Sequence, residues 1–247
     1  MQLSRHCAKT LLHMALRAIF LDAAGTLFTS VRPIGESYAE LARTHGKAVS
    51  AQDLARRFRH CHASAPPLAF PGVTGSNLEK LERDWWKELV RRVFQPFAPF
   101  ERFDDYFAEL FDYFRTPAAW SLFDDTRDTL TALRDRRLIL CVISNFDSRL
   151  FGILDGLGIA PQFNSVFISS QVGVAKPKAG IFQAALSRYG LKPEEALHVG
   201  DSLNYDIEGA RGAGVEGILL DAEQGGESNC TRIGKLKALL PIIEGMK

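Results

Sequence analysis

Short apolar runs alternate with helical patterns along most of the chain, and from Asp124 the alternation continues to the end. Such runs, bounded by turn residues, are typical of strands buried on both faces of a parallel sheet. The predicted strands are residues 18–21, 138–143, 165–168, 196–199 and 217–220. Helical periodicity occupies residues 126–136, 148–157, 178–189 and 205–213, and a closing helix is predicted from Thr231. This order predicts an α/β fold around a parallel sheet.

Residues 31–116 have a helical pattern throughout, which predicts a small helical domain inserted into the α/β core domain of residues 17–30 and 117–247. Its helices are predicted at 34–45, 51–63, 78–94 and 101–115, with a loop at 66–77. The last helix carries phenylalanines spaced as a bundle core would be, at Phe103, Phe107, Phe111 and Phe114. The loop at 69–76 is the better candidate for touching a substrate.

Composition narrows the function classes. The 247 residues are 46% hydrophobic, enough for a large core, and the net charge of +1 offers no general field for nucleic acid or an anionic membrane. No apolar run approaches the ~20 residues of a membrane span. The four cysteines are scattered without a CxxC pair, which favours a reducing, cytoplasmic location. We expect a monomer or homodimer that acts on a small molecule.

Residues 1–16 contain four basic or histidine side chains and no acid, but the apolar stretch is broken and no cleavage signal follows. A second methionine, Met14, stands just before the first strand. We therefore expect an N-terminal extension that is poorly ordered.

The first apolar run ends in Asp22, followed by two alanines, Gly25 and Thr26. Ligands bind at the carboxyl ends of strands in open α/β sheets, and a carboxylate there can act as a nucleophile or a metal ligand. An acid after a strand is also a common turn former or helix cap. On its own, this stretch leaves both interpretations open.

Three further segments place polar groups at or near strand ends. Ser144 and Asn145 follow the second run of the core, and both can donate hydrogen bonds to phosphate oxygens. Lys176 lies in the segment GVAKP, where it could offset negative charge. Asp201 and Asp206 belong to a GDSxxxD arrangement that suits Mg²⁺, an ion that prefers oxygen ligands. Ser144 and Asn145 could instead form a polar turn, and Lys176 could be a solvated surface lysine. Helix capping by Ser202 or Asn204 would explain part of the third pattern, but it does not explain Asp201.

Taken together, the segments LDAAGT, ISN, AKP and VGDSLNYD resemble, in this order, the four motifs of the haloacid dehalogenase-like hydrolase superfamily. The resemblance spans nearly the whole chain and includes a helical insert where one subgroup carries its cap domain. It implies a Rossmann-like parallel sheet core with an inserted helical cap.

The resemblance also implies roles for individual residues. In the phosphatases of this superfamily the first acid attacks phosphorus and forms an aspartyl-phosphate, which water then hydrolyses. A catalytic role thus falls on Asp22 and Lys176. The other implied roles are Mg²⁺ binding by Asp22, the backbone carbonyl of Ala24 and Asp201, phosphate binding by Ser144, Asn145 and Lys176, and support by Asp206.

The chain departs from the phosphatase pattern at Ala24, where such enzymes usually have a second Asp that acts as general acid and base. The backbone ligand survives this change, but the proton shuttle does not. Loss of an acid–base group costs typically ~10²–10⁴ in rate, so alkyl phosphate esters should be poor substrates. Acyl and aryl phosphates should suffer less.

Three alternatives to a phosphatase remain open at this point. Phosphonoacetaldehyde hydrolases also lack that Asp and use a cap lysine, for which Lys47, Lys80 and Lys87 are candidates. The 2-haloacid dehalogenases need no metal, whereas Asp201 provides a metal carboxylate here. A third reading is a protein that binds a phosphorylated ligand without turnover.

Overall fold

The computed structural model describes residues 16–221 and 229–245. Of the predicted N-terminal extension, residues 1–15 lie outside this part of the chain. The strands are β1 (Ala18–Leu21), β2 (Phe28–Ser30), β3 (Trp120–Leu122), β4 (Ile139–Ser144), β5 (Ser165–Ile168), β6 (Ala196–Gly200), β7 (Glu216–Leu220) and β8 (Thr231–Ile233). The helices are α1 (Ile34–Thr44), α2 (Ala51–Ala63), α3 (Gly75–Phe94), α4 (Phe103–Tyr113), α5 (Thr126–Asp135), α6 (Arg149–Gly156), α7 (Ser169–Val172), α8 (Gly180–Tyr189), α9 (Gly209–Gly212) and α10 (Leu239–Glu244).

Six strands form one parallel sheet in the order β5-β4-β1-β6-β7-β8. β1 therefore lies near the centre, between β4 and β6. Alternate residues of β1 point to opposite faces: Ile19 and Leu21 pack in one buried cluster, whereas Ala18 and Phe20 pack in another. Because both faces are covered, the strand reads as a continuous apolar run, and the predicted α/β parallel sheet is confirmed.

The end of the chain differs from the prediction. Residues Thr231–Ile233 form β8, which pairs in parallel with β7, and the closing helix α10 begins only at Leu239. The prediction of a helix from Thr231 was therefore wrong at its start. A three-residue strand is too short to show a period in the sequence, and its pairing with β7 supplies the hydrogen bonds that decide its conformation.

A second, two-stranded sheet joins β2 and β3 in antiparallel pairing, with Ser30 opposite Trp120. These short strands carry the chain out of the α/β core and back into it. Helices α1–α4 lie between them in sequence and share a core that includes Tyr38, Leu54 and Tyr106. Phe107 and Phe111 of the aromatic stripe are buried in the same core.

The contacts between the helical insert and the core include two sets of hydrogen bonds. The loop before α3 lies on α7, where the Ser169 hydroxyl donates to the Leu68 carbonyl (2.6 Å) and the Phe70 N–H donates to the Ser170 carbonyl (3.3 Å). In the second set, Glu82 of α3 accepts hydrogen bonds from the backbone N–H (3.1 Å) and hydroxyl (2.9 Å) of Ser148. The loop proposed for substrate contact is therefore hydrogen-bonded to α7, which precedes the AKP motif in the chain.

Candidate active site

The turn after β1 places Asp22 at the carboxyl edge of the sheet. Asp22 extends the strand pairing by donating its N–H to the Val199 carbonyl (2.9 Å), and the N–H groups of Thr26 (3.2 Å) and Leu27 (2.8 Å) donate to the Ala23 carbonyl. The Asp22 residue is 6% exposed. The tight turn therefore holds a buried carboxylate where a parallel sheet presents ligand-binding groups.

Gly25 permits the close approach of this turn to the fourth motif. Its φ is +94°, and a Cβ atom there would lie 2.2 Å from Oδ2 of Asp201. Both the left-handed backbone and the missing side chain are required at this position. Glycine at position 25 is therefore required by the turn itself and also by the contact with Asp201.

Three carboxylates meet at this edge. Oxygens of Asp22, Asp201 and Asp206 lie within 4.8 Å of one another. Burial, opposed by Lys176, raises the pKa of Asp22. Partial desolvation and the charges of Asp22 and Asp206 raise the pKa of Asp201 to about 7. The separation of Asp22 and Asp201 is within the ~5 Å that a shared Mg²⁺ allows.

The donor set fits a divalent cation. Carboxylate oxygens are the ligands that Mg²⁺ prefers, and the pKa of Asp201 is raised by desolvation and then by the charges of Asp22 and Asp206. The turn's hydrogen bonds go to the carbonyls of Ala23 and Phe28, and the Ala24 side chain is only a methyl group. Metal binding by the Ala24 carbonyl, which the family resemblance implies, stays a prediction.

Lys176 lies between two of the acids. Its Nζ donates to Oδ1 of Asp22 (2.6 Å) and to Oδ1 of Asp206 (2.5 Å), and the residue is 4% exposed. Burial alone would lower the pKa of Lys176, but the two carboxylates raise it above its usual range. Removing one member of a buried ion pair typically costs about 3–5 kcal/mol, because the remaining charge is left buried without its partner.

Asn145 positions the backbone of Lys176. Its Oδ1 accepts from the Lys176 N–H (2.8 Å), and its Nδ2 donates to the Lys176 carbonyl (2.9 Å). The second amide hydrogen is not part of this pair, and phosphate binding by Asn145 stays a prediction. The positioning role could not be read from the sequence, because the two residues are 31 positions apart. Ser144, also predicted for phosphate, is buried at the end of β4, beside β1.

Asp206 connects several buried groups. Its Oδ1 also contacts Nε2 of His198 (2.9 Å), and its Oδ2 accepts from the Ser202 N–H (3.0 Å). The Lys176 charge and the hydrogen bonds from His198 and Lys176 outweigh burial and hold the pKa of Asp206 well below its usual range. Asp206 also presses on Gly200, where a Cβ would lie 2.1 Å from its carboxyl carbon.

The helix of the fourth motif is not regular. The helix predicted at 205–213 is present, but it begins as a π-helix over Leu203–Glu208, and only Gly209–Gly212 form the α-helix α9. The Ile207 N–H donates to the Ser202 carbonyl, five residues back, at 3.3 Å. Such widened turns are frequent at functional sites. Here the wider turn accompanies the inward position of the Asp206 carboxylate.

A group of residues behind the second motif was missed by sequence reasoning. Asp147 is fully buried and accepts from Nε (2.9 Å) and Nη2 (2.7 Å) of Arg149 and from the indole N–H of Trp86 (2.5 Å). The Arg149 guanidinium also lies 4.1 Å from the centre of the Phe111 ring. Trp86, Phe111 and Arg149 line a cavity of about 70 Å³, together with residues that include Tyr38, Phe107, Trp120 and Phe146.

The candidate cap lysines lie elsewhere. The Lys47 ammonium donates to the Pro99 carbonyl (2.8 Å), and Lys87 pairs with Asp104 (3.0 Å), so both are engaged within the helical insert. Lys80 is exposed at the surface of α3. Within residues 16–221 and 229–245, no helix is both long and apolar enough to span a membrane.

Known proteins resemble this chain in sequence and in fold. Residues 16–214 match the family model described as haloacid dehalogenase-like hydrolase. Human haloacid dehalogenase-like hydrolase domain-containing protein 3 is 36% identical over 219 residues, which cover 85% of this chain and 84% of that protein.

Two solved structures show the same fold. A phosphatase of this kind from Thermococcus onnurineus has a TM-score of 0.65 and 24% identity, over 93% of this chain and 98% of that chain. A 2-haloacid dehalogenase from Pseudomonas syringae has a TM-score of 0.65 and 20% identity, with the same coverage of both chains.

Proposed function

Because this chain belongs to the haloacid dehalogenase-like hydrolases, we propose that it is a Mg²⁺-dependent phosphatase that acts on a small phosphorylated metabolite. The family assignment confirms the resemblance carried by the four motifs and makes the protein a hydrolase. The proposal adds a reaction through an aspartyl-phosphate on Asp22. A cytoplasmic location, supported by the scattered cysteines, and a cap role for residues 31–116 are part of it.

The observation that carries the proposal is the buried contact of Asp22 with Lys176, beside Asp201. Lys176 occupies Oδ1 of Asp22, which leaves Oδ2 as the oxygen that attacks phosphorus. The P–O bond to the alcohol then breaks, and water hydrolyses the acyl phosphate in a second step. Mg²⁺, held by Asp22, Asp201 and the Ala24 carbonyl, would neutralise charge on the phosphoryl oxygens.

Ala24 sets the range of leaving groups. No carboxylic acid stands two residues after Asp22, so the departing oxygen must take its proton from water. Alkoxides leave slowly without a proton, whereas phenolates and carboxylates do not need one. The enzyme should therefore prefer aryl or acyl phosphates to simple alkyl esters.

The competing activities have weaker support. A phosphonate hydrolase needs a free lysine beside the reacting carbon, but Lys47 and Lys87 have partners in the insert and Lys80 is exposed. A dehalogenase needs no metal, so dehalogenase activity does not account for the close approach of Asp201 to Asp22. A pure binding protein would not need an oriented nucleophile.

The test compares acetyl phosphate, 4-nitrophenyl phosphate and glycerol phosphate with and without Mg²⁺. We expect Mg²⁺-dependent turnover of the first two and loss of all turnover in Asp22→Asn, because an amide does not attack phosphorus. Asp128→Asn, which changes an exposed acid of α5, is the control and should remain active. Unchanged turnover in Asp22→Asn would refute the mechanism, and activity on phosphonoacetaldehyde or 2-chloropropionate alone would favour the corresponding alternative.

A further inference from the structure

We infer that His198, a buried histidine outside the four motifs, is a positioning residue for the catalytic pair Asp22 and Lys176. This inference rests on the proposed function. His198 lies in β6, is fully buried, and has Nε2 2.9 Å from Oδ1 of Asp206. The same oxygen receives the Lys176 ammonium at 2.5 Å. One carboxylate oxygen thus joins the histidine to the lysine.

The contacts form a continuous buried chain from His198 through Asp206 and Lys176 to the nucleophile. Its distances are 2.9, 2.5 and 2.6 Å, and each of the four residues is at most 6% exposed. Water therefore has little access to replace a missing link. The position of the lysine ammonium depends on where Asp206 holds its oxygen, and that position depends on the donors around Asp206.

The direction of the first hydrogen bond follows from the surroundings of the imidazole. An ionised carboxylate only accepts, so Nε2 must carry the proton that it shares with Asp206. The other ring nitrogen, Nδ1, is buried and has no hydrogen-bond partner among the described residues. The Nε2–H tautomer therefore makes the contact to Asp206 without burying an unpaired N–H. The ring also packs edge-on against Phe182, with centroids 5.0 Å apart.

This contact fixes one end of the Asp206 carboxylate. Oδ2 accepts a hydrogen bond from the Ser202 N–H. Oδ1 accepts hydrogen bonds from both His198 and Lys176. Without the imidazole donor, the Asp206 carboxylate can turn and follow the lysine side chain. Lys176 would then hold Oδ1 of Asp22 less firmly, and the angle at which Oδ2 meets phosphorus would vary. Small errors of this kind lower the rate of the chemical step.

Two substitutions separate positioning from packing. His198→Leu keeps apolar bulk in β6 and removes the donor, whereas His198→Gln places an amide N–H at a similar reach. If His198 positions Asp206, kcat on 4-nitrophenyl phosphate falls about 10–100-fold in His198→Leu, KM changes little, and His198→Gln recovers most of the loss. If His198 only fills space, the apolar leucine is the better tolerated variant. That order of activities would overturn the inference.

A second measurement does not depend on turnover. In protein labelled with ¹⁵N-histidine, His198 should show an Nε2–H proton that is protected from exchange with water, and Asp206→Asn should shift its resonance. Absence of that proton, or the Nδ1–H tautomer, would refute the inference even in an active enzyme. If the wild type shows the proton but hydrolyses no phosphate, the proposed function fails while the His198–Asp206 link stands.

Discussion

The side chain of Asn145 binds both polar groups of the Lys176 backbone, the N–H at 2.8 Å and the carbonyl at 2.9 Å. A residue at the end of β4 thereby fixes the origin of the lysine side chain that reaches Asp22. The second and third motifs are thus joined by two hydrogen bonds, independently of any phosphate.

We predict that Asn145→Ala lowers kcat on 4-nitrophenyl phosphate about 10–100-fold, because the Lys176 backbone loses its anchor. Asn164→Ala is the matched control: Asn164 accepts from the Leu140 N–H (2.9 Å) near the start of β4, far along the strand from Asn145. Both variants should lose stability in thermal unfolding, but only Asn145→Ala should lose activity. Equal activity of the two variants would contradict the anchoring role.

Restoring an acid at position 24 tests the consequence of Ala24. We predict that Ala24→Asp raises turnover of alkyl phosphates by up to ~10²–10⁴-fold, because the leaving oxygen then receives a proton. Acetyl phosphate should gain less. Steady-state rates on both substrates give the ratio. A variant that folds and binds Mg²⁺ but gains nothing on alkyl esters would show that position 24 is not the missing acid.

Gly25→Ala should damage the site by two separable effects. A Cβ there would lie 2.2 Å from Oδ2 of Asp201, and the φ of +94° strains any side chain. Gly46→Ala is the control for strain alone, because Gly46 has φ +80° but open space around it. We predict that both variants unfold at lower temperature and that only Gly25→Ala loses the stabilisation by Mg²⁺. Full retention of the Mg²⁺ effect in Gly25→Ala would contradict the close approach.

Asp201→Asn should raise the stability of the metal-free protein and remove its response to Mg²⁺. Partial desolvation and neighbouring acids raise the pKa of Asp201 to about 7, so its ionised form is disfavoured in the folded state. A raised carboxyl pKa gives stability that is present at low pH and lost as the pH rises through that value. The gain in the variant should therefore be absent near pH 4 and complete above about pH 7.

Thermal unfolding with a chelator, and then with added Mg²⁺, measures both effects. A ligand that binds only the folded state raises its stability as the concentration exceeds the dissociation constant. Asp128→Asn, an exposed change in α5, should behave like the wild type in both series. A variant at Asp201 that is still stabilised by Mg²⁺ would remove this residue from the proposed ligand set.

Much of the α/β core could be predicted because its signals are local. A strand buried on both faces, such as Ala18–Leu21, must be apolar at every position, so it is visible in the sequence. Asp22 directly follows such a strand, which makes it a candidate site residue in the sequence. The π-helix at Leu203–Glu208 was missed, because the inward position of Asp206 involves groups that lie beyond its own segment.

Side-chain contacts between distant positions were likewise beyond the sequence. His198 is fully buried in β6, and its contact with Asp206 depends on the register of that strand and the shape of the following turn. The link from Asn145 to Lys176 requires knowledge of two separate strand ends. Sequence patterns predict which residues lie at the carboxyl edge of the sheet. The hydrogen bonds that these residues make there depend on three-dimensional packing.

The pairing of β2 with β3 brings together the two points at which the chain leaves the core for the helical insert and returns from it. Ser30 and Trp120 are opposite each other in the ribbon, and the Val31 N–H donates to the Ala119 carbonyl at 2.9 Å, so the chain leaves and re-enters the core at adjacent points. Excising the residues between them would leave two ends that a tight hairpin turn can join. The insert can therefore be exchanged, by evolution or by design, without a change in the order of the strands in the sheet.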